Sequence, residues 1–246
     1  MALWGLLGAC AGGAEQATPA AGGSGESSAT TSATAPSTSG GGPRVVILGT
    51  SLTAGLGLDP DSAWPALVQR TADSLGVNVR IDAAGLSGET SAGALRRATW
   101  VLQAPADLVV LEVGANDGLR GVNPDSTRET LVALVDTVRS VQPSALIALV
   151  QMEAPPNLGA GYTDTFRAAY PAAAERTGVR LLPFLLDSVA GVAALNQADG
   201  IHPNEAGSRV VARRMWSALA PLVAEVADRR GTGAEGASVA APSGNP

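Results

Sequence analysis

Between Arg44 and Arg229 the chain alternates short apolar runs with longer segments of helical period, and this alternation admits few architectures. The strand-length runs are Val45–Leu48, Val77–Ala83, Leu108–Val113, Ala145–Met152 and Val179–Leu185. Between and after them the sequence predicts helices over Ser62–Leu75, Thr90–Leu102, Pro124–Val141, Thr163–Thr177 and Asn204–Asp228. In the first helix Trp64, Leu67, Val68 and Leu75 fall on or near one face. Asn123-Pro124 has the form of a helix cap with proline at the first position, and Gly178 is a helix stop. Leu108–Val113 is nearly continuous in apolar residues, as expected of a strand covered on both faces. Strands that alternate with helices in this way form a three-layer, doubly wound α/β fold, here with a five-stranded, mainly parallel sheet.

The flanks differ from this core. Residues 11–43 are mostly Gly, Ala, Ser, Thr and Pro with almost no bulky apolar side chain, and residues 230–246 have a similar composition. Such segments cannot bury enough surface to offset their ordering entropy, so both are expected to be unstructured around a domain at 44–229. Residues 1–10 are mostly apolar, far short of the roughly 20 needed to span a bilayer. Leu7-Gly8-Ala9-Cys10 is similar to a lipobox, which implies a lipidated Cys10, export to the periplasm or a membrane anchor, and a tether in 11–43; the alternative is a frayed apolar N-terminus on a cytoplasmic protein. The basic region of an export signal is missing ahead of it, as a start placed downstream of the true one would give.

The net charge of −6 argues against a nucleic-acid partner. All sixteen basic residues are arginine, which excludes a phosphate-loop lysine, a Schiff-base lysine and a pyridoxal site. One cysteine and one histidine cannot build the common Cys/His zinc sites or an internal disulfide. No metal or cofactor is expected. What remains is chemistry by oxygen nucleophiles, carboxylates and one imidazole, or a binding module.

Ligand-handling groups of doubly wound sheets gather beyond the carboxyl ends of the strands. After the first strand, Gly49-Thr50-Ser51-Leu52-Thr53-Ala54-Gly55 suits a presented serine nucleophile or a structural turn. After the second, Ser87-Gly88-Glu89 could bring the Gly88 N–H close to a substrate oxygen, or form a turn capped by Ser87. After the third, Asn116 could direct its amide at an oxyanion, or sit in a turn that tolerates positive φ. Asp199-Gly200-Ile201-His202 carries the only histidine, with a carboxylate three residues earlier that can fold back onto the ring.

Taken together, Val46–Gly57, Ala63–Leu67, Ser87–Ser91, Leu111–Arg120, Leu181–Phe184 and Asp199–Asn204 resemble the blocks of the SGNH (GDSL) hydrolases. Within that family the domain is similar to the thioesterase I, lysophospholipase and arylesterase branch. The resemblance implies a flavodoxin-like sheet and an esterase or thioesterase with Ser51 as nucleophile, His202 as general base and Asp199 as its orienter. It implies an oxyanion hole from the N–H groups of Ser51 and Gly88 and the amide of Asn116. The family's aspartate before the serine is Thr50 here. The loops 114–121 and 153–162 are expected to shape the acyl site, through Ala115, Asp117, Gly118 and Leu119 and through Ala154, Pro155 and Leu158. The partner is then a small acyl ester or thioester, and the protein a monomer. A carbohydrate O-acetyl esterase of the same fold and a catalytically silent envelope lipoprotein are the alternatives.

Overall fold

The structure, a computed structural model, describes residues 41–238, with side chains to 232. Leu7–Cys10, most of the expected linker and residues 239–246 lie outside the described residues. Five strands, β1 (Arg44–Gly49), β2 (Arg80–Gly85), β3 (Leu108–Glu112), β4 (Leu146–Val150) and β5 (Arg180–Leu182), form one sheet in the order β2-β1-β3-β4-β5. Every pairing is parallel. Central β1 and β3 are buried from Val45 to Gly49 and from Leu108 to Glu112, as the apolar runs require. β2 lies at the edge, half-exposed, and its pairing begins at Arg80 opposite Arg44, so Val77–Val79 precede the strand.

The helices are α1 (Ser51–Ala54), α2 (Trp64–Ser74), α3 (Ser91–Val101), α4 (Ala115–Leu119), α5 (Pro124–Val141), α6 (Ala160–Thr177) and α7 (Glu205–Ser238). They flank the sheet as two packed groups, α2 with α7 and α5 with α3 and α6. In α5 the buried positions Thr127, Leu131, Leu134, Val135 and Val138 make one helical stripe. Asn123 caps it, accepting the Asp125 N–H at 2.8 Å. α2 buries Trp64 and Val68 as expected, but Leu75 is 62% exposed. The helix ends at Ser74, and Gly76 at φ +68° turns the chain away.

Two departures have local causes. α6 contains Pro171, which cannot donate to the carbonyl four residues back, at Arg167; the Gln151 side-chain amide donates to that carbonyl at 3.2 Å instead. α7 continues past Asp228, which keeps Arg230 within reach of Asp107 just before β3, at 2.8 and 2.9 Å. Asp107 also accepts the Arg44 N–H at 2.7 Å, so the helix is tied to the start of the sheet. Among the described residues no helix is long and apolar enough to cross a membrane.

Gly85 ends β2 where a Cβ would stand 2.8 Å from the Thr50 carbonyl oxygen and 2.7 Å from Ala54 Cα. Gly85→Ala is expected to push α1 off the sheet and cost about 1–3 kcal/mol. Urea unfolding measures the loss, and an unchanged midpoint would show that α1 yields without cost.

Candidate active site

Gly49 pairs with Gly85 on one side and with Glu112 on the other, so β1, β2 and β3 release the chain at one level. The three loops that follow therefore start side by side. At the end of β1, Thr50 caps α1 by accepting the Leu52 N–H at 3.4 Å. The four-residue helix closes at Gly55, φ +68°, a left-handed position that suits glycine. Ser51 opens this helix and is nearly buried, with 7% of its surface exposed.

His202 arrives from a loop that organises itself. The Asp199 carboxylate accepts the backbone N–H groups of Ile201 (2.9 Å) and His202 (3.0 Å) and faces His202 Nδ1 at 2.6 Å. These donors, the His202 N–H foremost, hold the Asp199 carboxyl down to about 2, so it remains ionised well below neutral pH. With Nδ1 protonated toward Asp199, the Nε2 lone pair faces outward, and Ser51 Oγ lies 2.8 Å from it. Gln197 secures the loop, donating to the Leu56 carbonyl at 2.7 Å and the Pro203 carbonyl at 3.0 Å. Gly207 in the first turn of α7 allows close approach: a Cβ there would meet the Leu195 carbonyl.

On the other side of Ser51, Gly88 takes φ +77°, and its carbonyl accepts from Arg120 at 2.9 Å. Ser87 is not the cap of the next helix; Thr90 is, accepting the Gly93 N–H at 3.3 Å. Asn116 sits in the first turn of α4 and donates to the Glu89 carbonyl at 3.0 Å, which sets its amide beside the Gly88 loop. Glu89 is itself clamped by Arg97, whose guanidinium also donates to the carbonyls of Gly49 and Ala84 at 3.0 and 2.9 Å. One arginine thus joins the ends of two strands to the loop that carries Gly88.

Ser51, Gly88, Asn116 and His202 share a groove of about 510 Å³. Of the residues expected to shape it, Ala115, Leu119, Ala154 and Pro155 line it, joined by Met152, Phe184, Leu186 and Ile201, which the sequence did not assign to it. Asp117, Gly118 and Leu158 do not line it. Asp117 is buried and accepts the Ser91 N–H and hydroxyl at 2.7 and 2.5 Å, joining α4 to α3. Gly118 packs toward Phe166, where a Cβ would stand 3.1 Å from the ring. Among the described residues no three His, Cys, Asp or Glu side chains converge as metal ligands would.

Beneath the serine lies a group the sequence reading passed over. Glu112 is fully buried and accepts the Thr50 N–H (2.9 Å), the Thr50 hydroxyl (3.0 Å) and the Thr53 hydroxyl (2.7 Å). Burial raises its carboxyl to about 7 despite these donors. The signal was present in the sequence: Glu112 is the single charge in the run Leu108–Val113. Thr50, in place of the family's aspartate, both caps α1 and donates to this carboxylate.

Residues 47–210 match the GDSL-like lipase/acylhydrolase family. The chain is 38% identical over 181 residues to the esterase TesA of Pseudomonas aeruginosa, covering 73% of this chain and 89% of that one. It is 37% identical over 180 residues to thioesterase 1/protease 1/lysophospholipase L1 of Escherichia coli, with 73% and 84% covered. The crystal structure of the psychrotrophic esterase EstA from a Pseudoalteromonas species superposes with a TM-score of 0.70 at 33% identity, covering 74% of this chain and 98% of that one. With this architecture and this degree of likeness, the chain belongs to the GDSL (SGNH) hydrolase family, in its thioesterase I and arylesterase branch.

Proposed function

We propose that the protein hydrolyses carboxylic esters or thioesters with extended apolar acyl groups, through an acyl-enzyme formed on Ser51. The observation that carries this reading is the relay from Asp199 through His202 to Ser51, with contacts of 2.6 and 2.8 Å, at the wall of an apolar groove. His202 Nε2 takes the Ser51 proton as Oγ attacks the acyl carbonyl. The negative charge that develops on the carbonyl oxygen is met by the N–H groups of Ser51 and Gly88 and by the Asn116 amide. Protonated His202 then gives its proton to the departing alkoxide or thiolate. Water, activated by the same imidazole, releases the acid and restores Ser51.

The groove supports an apolar acyl group rather than an acetylated sugar. Its volume lies within the range of small-molecule sites, and Leu56, Leu119, Met152, Phe184, Leu186 and Ile201 offer an alkyl or aryl chain few polar partners. Leu56, Leu119 and Ile201 remain 46%, 39% and 40% exposed at its edge, an arrangement suited to a chain threading in from the mouth.

Ser51→Ala should lower hydrolysis of a chromogenic ester by roughly 10⁴-fold or more with the fold intact, and His202→Asn by a similar amount. The double variant should lose little beyond either single one, because the two residues act as a unit. Residual activity within tenfold of wild type in Ser51→Ala would refute the nucleophile assignment.

Asn116→Ala should lower kcat by roughly 10²–10³ with KM almost unchanged, since its amide acts on charge that exists only in the transition state. A change confined to KM would make it a substrate-binding group instead. Leu119→Trp should narrow the groove, cutting kcat/KM roughly tenfold for a ten-carbon acyl ester while sparing the acetyl ester. A panel of acyl lengths reads this out, and equal losses across the panel would move the chain elsewhere.

A further inference from the structure

We infer that ionised Glu112 is a positioning residue for the reaction, holding Ser51 in its attacking pose by gripping the residue before it and the residue two beyond it. The inference rests on the serine-hydrolase reading above. An ionised carboxylate only accepts hydrogen bonds, and every group bonded to Glu112 is able to donate: the Thr50 N–H, which can do nothing else, and the hydroxyls of Thr50 and Thr53. Ser51 is therefore bracketed between two residues tied to one anion on the neighbouring strand. The Thr50 hydroxyl oxygen also accepts the Leu52 N–H, which leaves its proton to be directed at Glu112.

The other charged and titratable groups around this strand end are engaged elsewhere. Arg97 of α3 pairs with Glu89 and donates to the Gly49 carbonyl. Tyr170 of α6 donates its hydroxyl to the Val113 carbonyl at 2.9 Å, and Asp117 of α4 is bonded to Ser91. Among the described residues no arginine pairs with Glu112, so a change in its charge is compensated only by the threonine donors. When Glu112 takes up one proton from solvent, its new O–H must donate. A threonine hydroxyl then has to turn from donor to acceptor, and the charge-assisted ties beside Ser51 give way to weaker neutral ones. Burial makes this proton uptake easier than for an exposed glutamate.

The test compares kcat at saturating ester for wild type and Glu112→Gln between pH 5 and 9, where tryptophan emission shows both folded. The amide imitates the protonated acid. Wild type should exceed the variant by roughly 10–100-fold at pH 9, and the ratio should shrink toward one at pH 5. KM should differ little throughout. A ratio that stays constant with pH would assign Glu112 a merely structural part and overturn the proposal. Should Glu112→Gln not fold, Thr53→Val serves in its place. It removes one donor from the ionised form, so its acid limb should move to higher pH, and Thr53→Ser should return it. An unmoved limb in Thr53→Val would equally overturn the proposal. Labelling of Ser51 by a fluorophosphonate separates the two layers of argument. If wild type neither labels nor hydrolyses any ester, the serine-hydrolase reading fails and this inference with it. If it does both and the ratio is flat, only this inference fails.

Discussion

Three neighbouring strands end in register, Gly85 beside Gly49 beside Glu112, and the site depends on that alignment. Parallel pairing sends all three chain exits to the same edge, so loops distant in sequence begin a few ångströms apart. β1 supplies the turn with Ser51, β2 the loop with Gly88, and β3 the loop with Asn116. A slip of one residue in β3 would turn Glu112 to the opposite face of the sheet and leave the Thr50 amide without its acceptor. The two glycines belong to the same constraint. At Gly49 a Cβ would stand 2.7 Å from Glu112 Oε2, and at Gly85 it would press on the Thr50 carbonyl. Bare backbone at both positions lets the helix that carries Ser51 lie directly on the sheet edge.

The histidine side of the site is built on another basis. Asp199, Ile201 and His202 form their bonds within four residues, so the imidazole is oriented by its own loop without help from a tertiary contact. Only one long-range decision is left, the distance between this loop and α1. Gln197 settles it by bonding Leu56 beyond α1 and Pro203 beyond the histidine. The Ser51–His202 contact spans 151 positions of sequence. It is held by the Gln197 amide, by the Ser208 hydroxyl, which donates to the Ser62 carbonyl at 2.6 Å, and by the packing of α7 against α2.

This division explains what could be read from the chain before folding. The strands and long helices were legible because their burial follows a period, as in the stripe from Thr127 to Val138. Asn123-Pro124 and Gly178 marked helix ends by local chemistry that needs no partner. The DGIHPN segment disclosed its Asp–His pair for the same reason. α1 and α4 were not legible as helices, since four or five residues carry no period. The groove lining was only half legible: Ala115 and Leu119 face it while Asp117 and Gly118, between them, turn inward to Ser91 and Phe166. A loop read as one unit had been folded into a helix with two faces. Arg97 and Gln197 were missed because nothing local distinguishes them; their partners lie on other strands and loops.

Glu112 shows most directly how the fold trades stability for the site. Its carboxyl ionises near 7 in the folded chain, against 4.5 for the free side chain. The folded state therefore binds this proton more tightly than the unfolded one. The sign follows: stability from this group is fully present below about pH 4.5 and is lost as pH rises through 7, by roughly 3 kcal/mol in all. At neutral pH and above the fold thus carries a buried anion at a cost comparable to a sizeable core substitution. A leucine at that position would suit its neighbours in β3, all of them buried and apolar. It could not accept the Thr50 N–H, however, and a buried amide left unpaired next to the serine would cost about 1–3 kcal/mol in turn. The carboxylate satisfies that amide and two hydroxyls at once, so the destabilising charge and the orderly turn at Ser51 are one feature. Removing either would remove the other.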